Sequence, residues 1–228
     1  MTLTRATRLK FMKIVAFCGD LTQVWVQRLL TGLALSAYTP SVLQKSPAAI
    51  HAASEMTHVH NVITRGVNSF YLQAPNVRNP SDIKDFLHFV IVWGNLVDRH
   101  HETEEESIFP DLENFTGDKG LMQHSVEQHH AFHSGLQTLK NYASSTAPED
   151  YSSDKRKSII DGLGPTLQEH LVDEIDTMLT LKKFDSEGLM KVWKVSEAEA
   201  RAKTRSTGAS KASPTNRKPQ RKTADSVL

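Results

Sequence analysis

From about residue 52 the chain carries large apolar residues at three- and four-residue steps, the spacing of one helix face. Met56, His60, Ile63, Val67 and Phe70 form the first such stripe and predict a helix over 52–72. Pro75 and Pro80 bracket the turn that follows, and Ser81 is expected to cap a second helix. Its stripe runs Ile83, Phe86, Val90, Trp93, Val97, His100, Glu104 and Ile108, with Pro110 expected to close it. After a turn at 114–120 a third helix carries Met122, Val126, His129, His133, Leu136 and Leu139. Beyond a polar stretch at 144–148, Ser152 or Ser153 is placed to cap a fourth, whose inner face is Ile159, Leu163, Leu167, His170, Glu174 and Met178. Gly162, Gly164 and Pro165 are expected to kink this helix or split off its first turns. No strand pattern competes. Short connections force successive helices antiparallel, so the pattern predicts an all-α, up-down-up-down four-helix bundle over 51–184.

The flanks read differently. Residues 1–50 carry Arg5, Arg8, Lys10, Lys13 and Arg28 against the single acid Asp20, among apolar residues such as Phe11, Ile14, Leu21 and Trp25. That pattern fits an N-terminal helical extension, with a mitochondrial transit segment as the alternative. Leu189, Val192 and Trp193 mark a short capping helix over 185–197. The stretch 198–228 has almost no large apolar residue and reads as a disordered basic tail.

Composition narrows the partners. With 27 basic and 26 acidic side chains, no global field draws the chain to nucleic acid or anionic lipid. The basic run Arg217, Lys218, Arg221 and Lys222 leaves nuclear targeting or a local nucleic-acid contact as an alternative. The single cysteine, Cys18, excludes an intrachain disulfide framework and a thiolate metal cluster. No apolar run reaches the roughly 18–20 residues of a membrane span. An intracellular, cytoplasmic protein is expected.

The chemistry lies in the 11 histidines, clustered between His51 and His170. Every predicted bundle helix has its stripe interrupted by histidine: His60, then His100 with Glu104, then His129 with His133, then His170 with Glu174. A four-residue step puts both members of a pair on one face, a turn apart. Counted along antiparallel helices rising 1.5 Å per residue, all four levels fall roughly 12–15 Å from the same bundle end. One such histidine alone is more often a satisfied core residue than a ligand, and an isolated His–Glu pair is often a surface ion pair. Five imidazoles and two carboxylates in one buried layer are different, since without a partner they would cost several kcal/mol per charge. A metal centre removes the objection. Imidazole and carboxylate without thiolate suit iron, manganese or zinc, and seven ligands exceed what one zinc uses. Two ions are implied. Two six-coordinate irons with an oxo or hydroxo bridge would leave one position for dioxygen or peroxide.

The segments VHNVITRGVNSFYLQAP, HHETEEESIFP, EQHHAFHSGL and QEHLVDEI resemble the metal-binding motifs of the hemerythrin-like (HHE cation-binding) family, closest to its fungal intracellular branch. The resemblance covers about 52–183. It implies a non-haem two-iron centre ligated by His60, His100, Glu104, His129, His133, His170 and Glu174. The four-residue spacing of His170 and Glu174 departs from the longer Asp spacing of oxygen-carrying hemerythrins and resembles iron-sensing relatives better. The expected function is to bind dioxygen or to sense iron or oxygen, the alternative being an oxidoreductase that activates dioxygen or peroxide on a small substrate. In the second helix His100 with Glu104 competes with His101 and Glu105 for the inward register, and the first pair is favoured because the second stripe passes through Asp98.

Overall fold

A computed structural model of the chain describes residues 46–209, with side chains to residue 202. The N-terminal extension before Ser46 and the basic run Arg217, Lys218, Arg221 and Lys222 lie outside the described residues. Among the described residues six α-helices follow one another: α1 (Pro47–Gln73), α2 (Pro80–Thr103), α3 (Phe109–Thr116), α4 (Gln123–Ser145), α5 (Ser153–Thr180) and α6 (Ser186–Ala209). The described residues contain no strand, and none of their helices is long and apolar enough to cross a membrane.

α1, α2, α4 and α5 form the up-down-up-down bundle, with α5 against α1 and α4, and α2 against α4 and, less extensively, α1. Ser46 caps α1 by accepting from the Ala49 N–H, and Ser152 caps α5 by accepting from Lys155. α2 begins differently from expectation: Asn79 is its cap residue and Pro80 fills the first turn, where a missing N–H costs nothing, so Ser81 lies inside the helix.

Two interruptions expected at proline, a split in α5 and the end of the second helix, do not occur. α5 stays one helix across Pro165, its buried Ile160, Leu163, Gly164 and Leu167 packed on both sides of it. Nor does Pro110 end the second helix. A π-helical turn, Glu104–Ile108, follows α2, and α3 continues beyond it to Thr116. There the Phe109 N–H bonds to the Glu104 carbonyl, five residues back, and this widened turn admits a residue without an N–H. Gly117, at φ 74°, ends α3 in the left-handed conformation that glycine adopts without strain. α6 also runs past the expected boundary at Glu197, through Ala209.

Two apolar cores fill the bundle. The larger holds Ile63, Val67, Phe70, Phe86, Trp93, Val97, Phe132, Leu136, Leu163 and Leu167, with the buried Arg156 guanidinium lying 4.8 Å over the Phe86 ring. The smaller joins Ala49, Ala52 and Met56 to Leu112, Met122, Ile175, Met178, Leu189 and Trp193, so α3 and α6 close that end. In sequence, the chain changes core at the polar layer: Met56 and Ile63 flank His60, and Leu171 and Ile175 flank Glu174. The polar layer is the boundary between the cores.

Gly66 fixes the distance between α1 and α2, because a Cβ there would overlap the Trp93 ring, whose indole N–H donates to the Ile63 carbonyl at 3.0 Å. Gly66→Ala is therefore expected to destabilise the fold by about 1–3 kcal/mol despite alanine's better helix propensity. Urea unfolding of the two proteins checks this; an equal or higher midpoint would contradict the packing.

Candidate metal centre

α1 contributes His60, α2 His100 and His101, the first residue of the π turn Glu104, α4 His129, and α5 His170 and Glu174. His60, Glu104, His170 and Glu174 are wholly buried. Their ligand atoms fall into two groups of four, His60, His100, Glu104 and Glu174 on one side and His101, Glu104, His129 and His170 on the other, each within 4.8 Å of one another. Glu104 belongs to both. Its Oε1 lies 2.9 Å from His100 Nε2 and its Oε2 3.5 Å from His129 Nε2. Glu174 Oε2 is 3.1 Å from His60 Nε2 and 3.6 Å from His170 Nε2.

The outer nitrogens fix how these rings point. His60 Nδ1 donates to the Leu171 carbonyl at 2.9 Å, and His129 Nδ1 donates to Glu105 Oε1 at 2.6 Å. With the proton on Nδ1, each Nε2 turns a lone pair inward. His129 Nε2 then faces His170 Nε2 at 3.2 Å, and His60 Nε2 faces a carboxylate oxygen. Both oxygens of Glu104 and of Glu174, and Nε2 of His60, His100 and His101, are buried without a hydrogen-bond partner. Lone pairs aimed at lone pairs repel unless protons or cations lie between them.

The electrostatics agree. Burial pushes His100 down to about 4 and His170 to about 3, and lowers His101 and His129 as well, so these imidazoles are neutral, the form that binds metal. The two carboxylates separate. Burial and the nearby Glu174 raise Glu104, whereas Glu174, although burial raises it too, is held below the usual carboxylate range by the imidazoles of His60, His170 and His100 around it. Two anions do not share this layer without cations, and the donor set fits metal ions.

Six of the seven residues expected as ligands meet here. His133 does not. Its exposed side chain lies on the rim of a cavity and approaches Gln137 Nε2 at 3.3 Å. α4 turns Phe132 inward one step after His129, which sends His133 to solvent. His101 stands in the cluster instead, its ring centroid 4.3 Å from that of His129 and 4.9 Å from that of His170. His100 and His101 straddle the inward line of α2, and Glu104 lies one turn below both, so the two registers weighed for this helix share its face. Glu105 is outside the layer and braces His129.

Comparison with known proteins agrees with this layer. The family model for the hemerythrin HHE cation-binding domain matches residues 51–181, which contain every residue of the cluster. The chain belongs to the hemerythrin HHE cation-binding family. A fungal relative, the dimeric xanthone biosynthesis cluster protein R11 of Cryptosporiopsis sp. (strain 8999), is 41% identical over 149 residues, 65% of this chain and 57% of that protein. The chain thus matches little more than half the relative's length. No solved structure matches the chain. In this hemerythrin-family chain the buried cluster of histidines and glutamates is suited to metal cations.

Two predictions follow from the geometry. His101→Ala loses metal, His133→Ala keeps it, and Glu105→Ala keeps the stoichiometry with affinity about 10–100-fold weaker, as elemental analysis and chelator competition would show. Retention in the His101 variant with loss in the His133 variant would mean α4 is rotated. The second concerns the metal-free protein. Imidazoles depressed in the folded state give stability above about pH 6.5 that is lost as pH falls toward 4 and then 3, because the unfolded chain binds protons first. Glu104, raised, acts in the opposite direction but is one group against four. Tm is expected to fall between pH 7 and pH 4.5, and a Tm that stays level or rises would contradict neutral buried imidazoles.

Proposed function

We propose that the layer holds two iron ions and that the protein uses them to bind dioxygen or peroxide. The observation carrying this reading is Glu104, whose two oxygens face different histidines in two ligand groups. His60, His100 and Glu174 would hold one ion, His101, His129 and His170 the other, with Glu104 serving both. Nitrogen and oxygen donors without thiolate suit iron. Iron supplies a change of oxidation state and an affinity for small oxygen ligands. The protein's own contributions are distinct from that: two apolar cores bound the layer on either side along the bundle, the Leu171 carbonyl and Glu105 hold His60 and His129 in the metal-binding tautomer, and the Pro110-compatible π turn presents Glu104.

One observation favours the oxidoreductase reading over reversible binding or sensing. A cavity of about 380 Å³ reaches His101 and His129 from the surface, far larger than dioxygen needs and within the range of small-molecule pockets. The relative's name places that protein in a biosynthetic cluster. We therefore favour an oxidoreductase acting on a small organic molecule, with dioxygen binding or sensing as the other reading.

Protein purified after iron-replete expression is expected to carry about two irons per chain by mass spectrometry of the metals. One zinc and no iron would overturn the reading. Dioxygen uptake that depends on an added organic substrate supports the oxidoreductase, and an optical change reversed by degassing supports reversible binding.

A further inference from the structure

Of the adjacent helix pairs in the bundle, α1 and α2 make the least extensive contact. Gly66 and Trp93 meet across this seam and mark which line of each helix borders it. Four and seven residues before Gly66 on α1 stand Val62 and Val59, 52% and 37% exposed. On α2, Phe89, Val92 and Leu96 lie along the line beside Trp93, the two aliphatic ones 44% and 41% exposed. Phe89 is half-buried, its ring centroid 4.8 Å from that of Phe70 on α1. Four of the six exposed large apolar side chains among the described residues thus share one furrow. Scattered singly they would be ordinary surface; collected in a line they form a patch.

The furrow leads to the buried cluster. His100 lies one turn beyond Leu96 on the same line of α2, and it is the one member of the cluster not fully enclosed, its side chain 11% exposed. Acids stand at the two ends. Glu55 is one turn before Val59 and Asp85 one turn before Phe89, both open to solvent. Because α1 and α2 run antiparallel, these carboxylates lie at opposite ends of the furrow, about 28 Å apart when counted from the Gly66–Trp93 level at 1.5 Å per residue. The His58 ring is 3.9 Å from Glu55, too far for a hydrogen bond, and the neighbouring cation Arg99 is turned to Glu102 at 3.0 Å.

One segment of the chain matches this furrow in face, length and charge. Over residues 11–29, Phe11, Ile14, Cys18, Leu21, Trp25 and Leu29 recur at three- and four-residue steps. As a helix that stripe is about 27 Å long. Lys10 and Arg28 stand on one flank of it, about five helical turns or 27 Å apart, close to the spacing of the two acids. Residues 30–45 join the segment to Ser46 at the start of α1, and a linker of that length spans more than about 50 Å when extended. A second copy of the chain is a poorer match. Four partly exposed side chains offer a few hundred Å², against roughly 800 Å² per partner in a stable complex, whereas a tethered segment gains from its high effective concentration.

We propose that residues 11–29 form a helix that lies in the α1–α2 furrow, antiparallel to α1, with Arg28 at Glu55 and Lys10 at Asp85. The docked helix buries Val59, Val62, Val92 and Leu96 and shuts the solvent path to His100. The cavity between α2 and α4 is left as the opening to the cluster.

Cys18, the single cysteine, reports the docking in the full chain. In this register it sits between the levels of Val92 and Leu96. Val92→Cys is therefore expected to form an intrachain disulfide with Cys18 under mild oxidation, identified by mass spectrometry of a digest made without reductant. Ser134→Cys, exposed on α4 across the bundle, is expected to form at least about tenfold less, because its Cα is far outside the roughly 7 Å that a disulfide allows. A second readout needs no new cysteine. Cys18 is expected to react with a maleimide about tenfold more slowly in the native chain than in Val62→Asp/Leu96→Asp, whose charges spoil the furrow at exposed positions. Equal disulfide yield from the residue 92 and residue 134 variants, or equal maleimide rates in the two proteins, would overturn the docking. A disulfide formed only between chains would also overturn it and place a second copy in the furrow.

Discussion

Seven ionisable side chains from the bundle helices and the π turn converge on one buried layer, and their lone pairs point at one another. The arrangement places His129 Nε2 3.2 Å from His170 Nε2 and His60 Nε2 3.1 Å from a Glu174 oxygen, with eight of the layer's nitrogens and oxygens lacking any hydrogen-bond partner. A domain stabilised by only about 5–15 kcal/mol does not hold such a layer for nothing. Cations between the lone pairs turn repulsion into ligation, and the surrounding structure reads as the means of holding the ligands still. Two apolar cores grip the helices on either side, and Leu171 and Glu105 fix two tautomers from outside the layer.

The fold was legible because four amphipathic stripes separated by short polar turns leave little choice of topology. Where reading failed, it was at places where local backbone geometry departs from the average. Pro110 looks like a terminator in a regular helix, yet after a π turn it is an early residue of the next one. Pro165 remains inside α5 because packing on both sides holds the helix together.

The site shows the same limit more finely. His60, His100, Glu104, His129, His170 and Glu174 all lie where the stripes put them, but a four-residue step from His129 reaches His133, which the structure leaves exposed. Ser125, Gln128, His129, Phe132, Leu136, Leu139, Tyr142 and Ala143 are the buried residues of α4, and the stripe through Ser125, His129, Phe132, Leu136 and Leu139 is as regular as the one through His133. The signal was Phe132, too large and apolar to leave in water. For His101 the signal was the adjacent pair itself, since two neighbouring histidines can straddle one inward line when Glu104 follows one turn below both. The cavity had no sequence signal, because its lining comes from α2, the π turn and α4, much of it residues that read as surface charge.

The account stands or falls on whether Glu104 is shared between two ions. Crystals of iron-loaded protein, measured on either side of the iron absorption edge, give the number and places of the metals directly. Two anomalous peaks are expected, one beside His60 and His100, the other beside His101, His129 and His170, with a Glu104 oxygen on each. A single peak, or two peaks with Glu104 bound to neither or His133 ligating in place of His101, would contradict it.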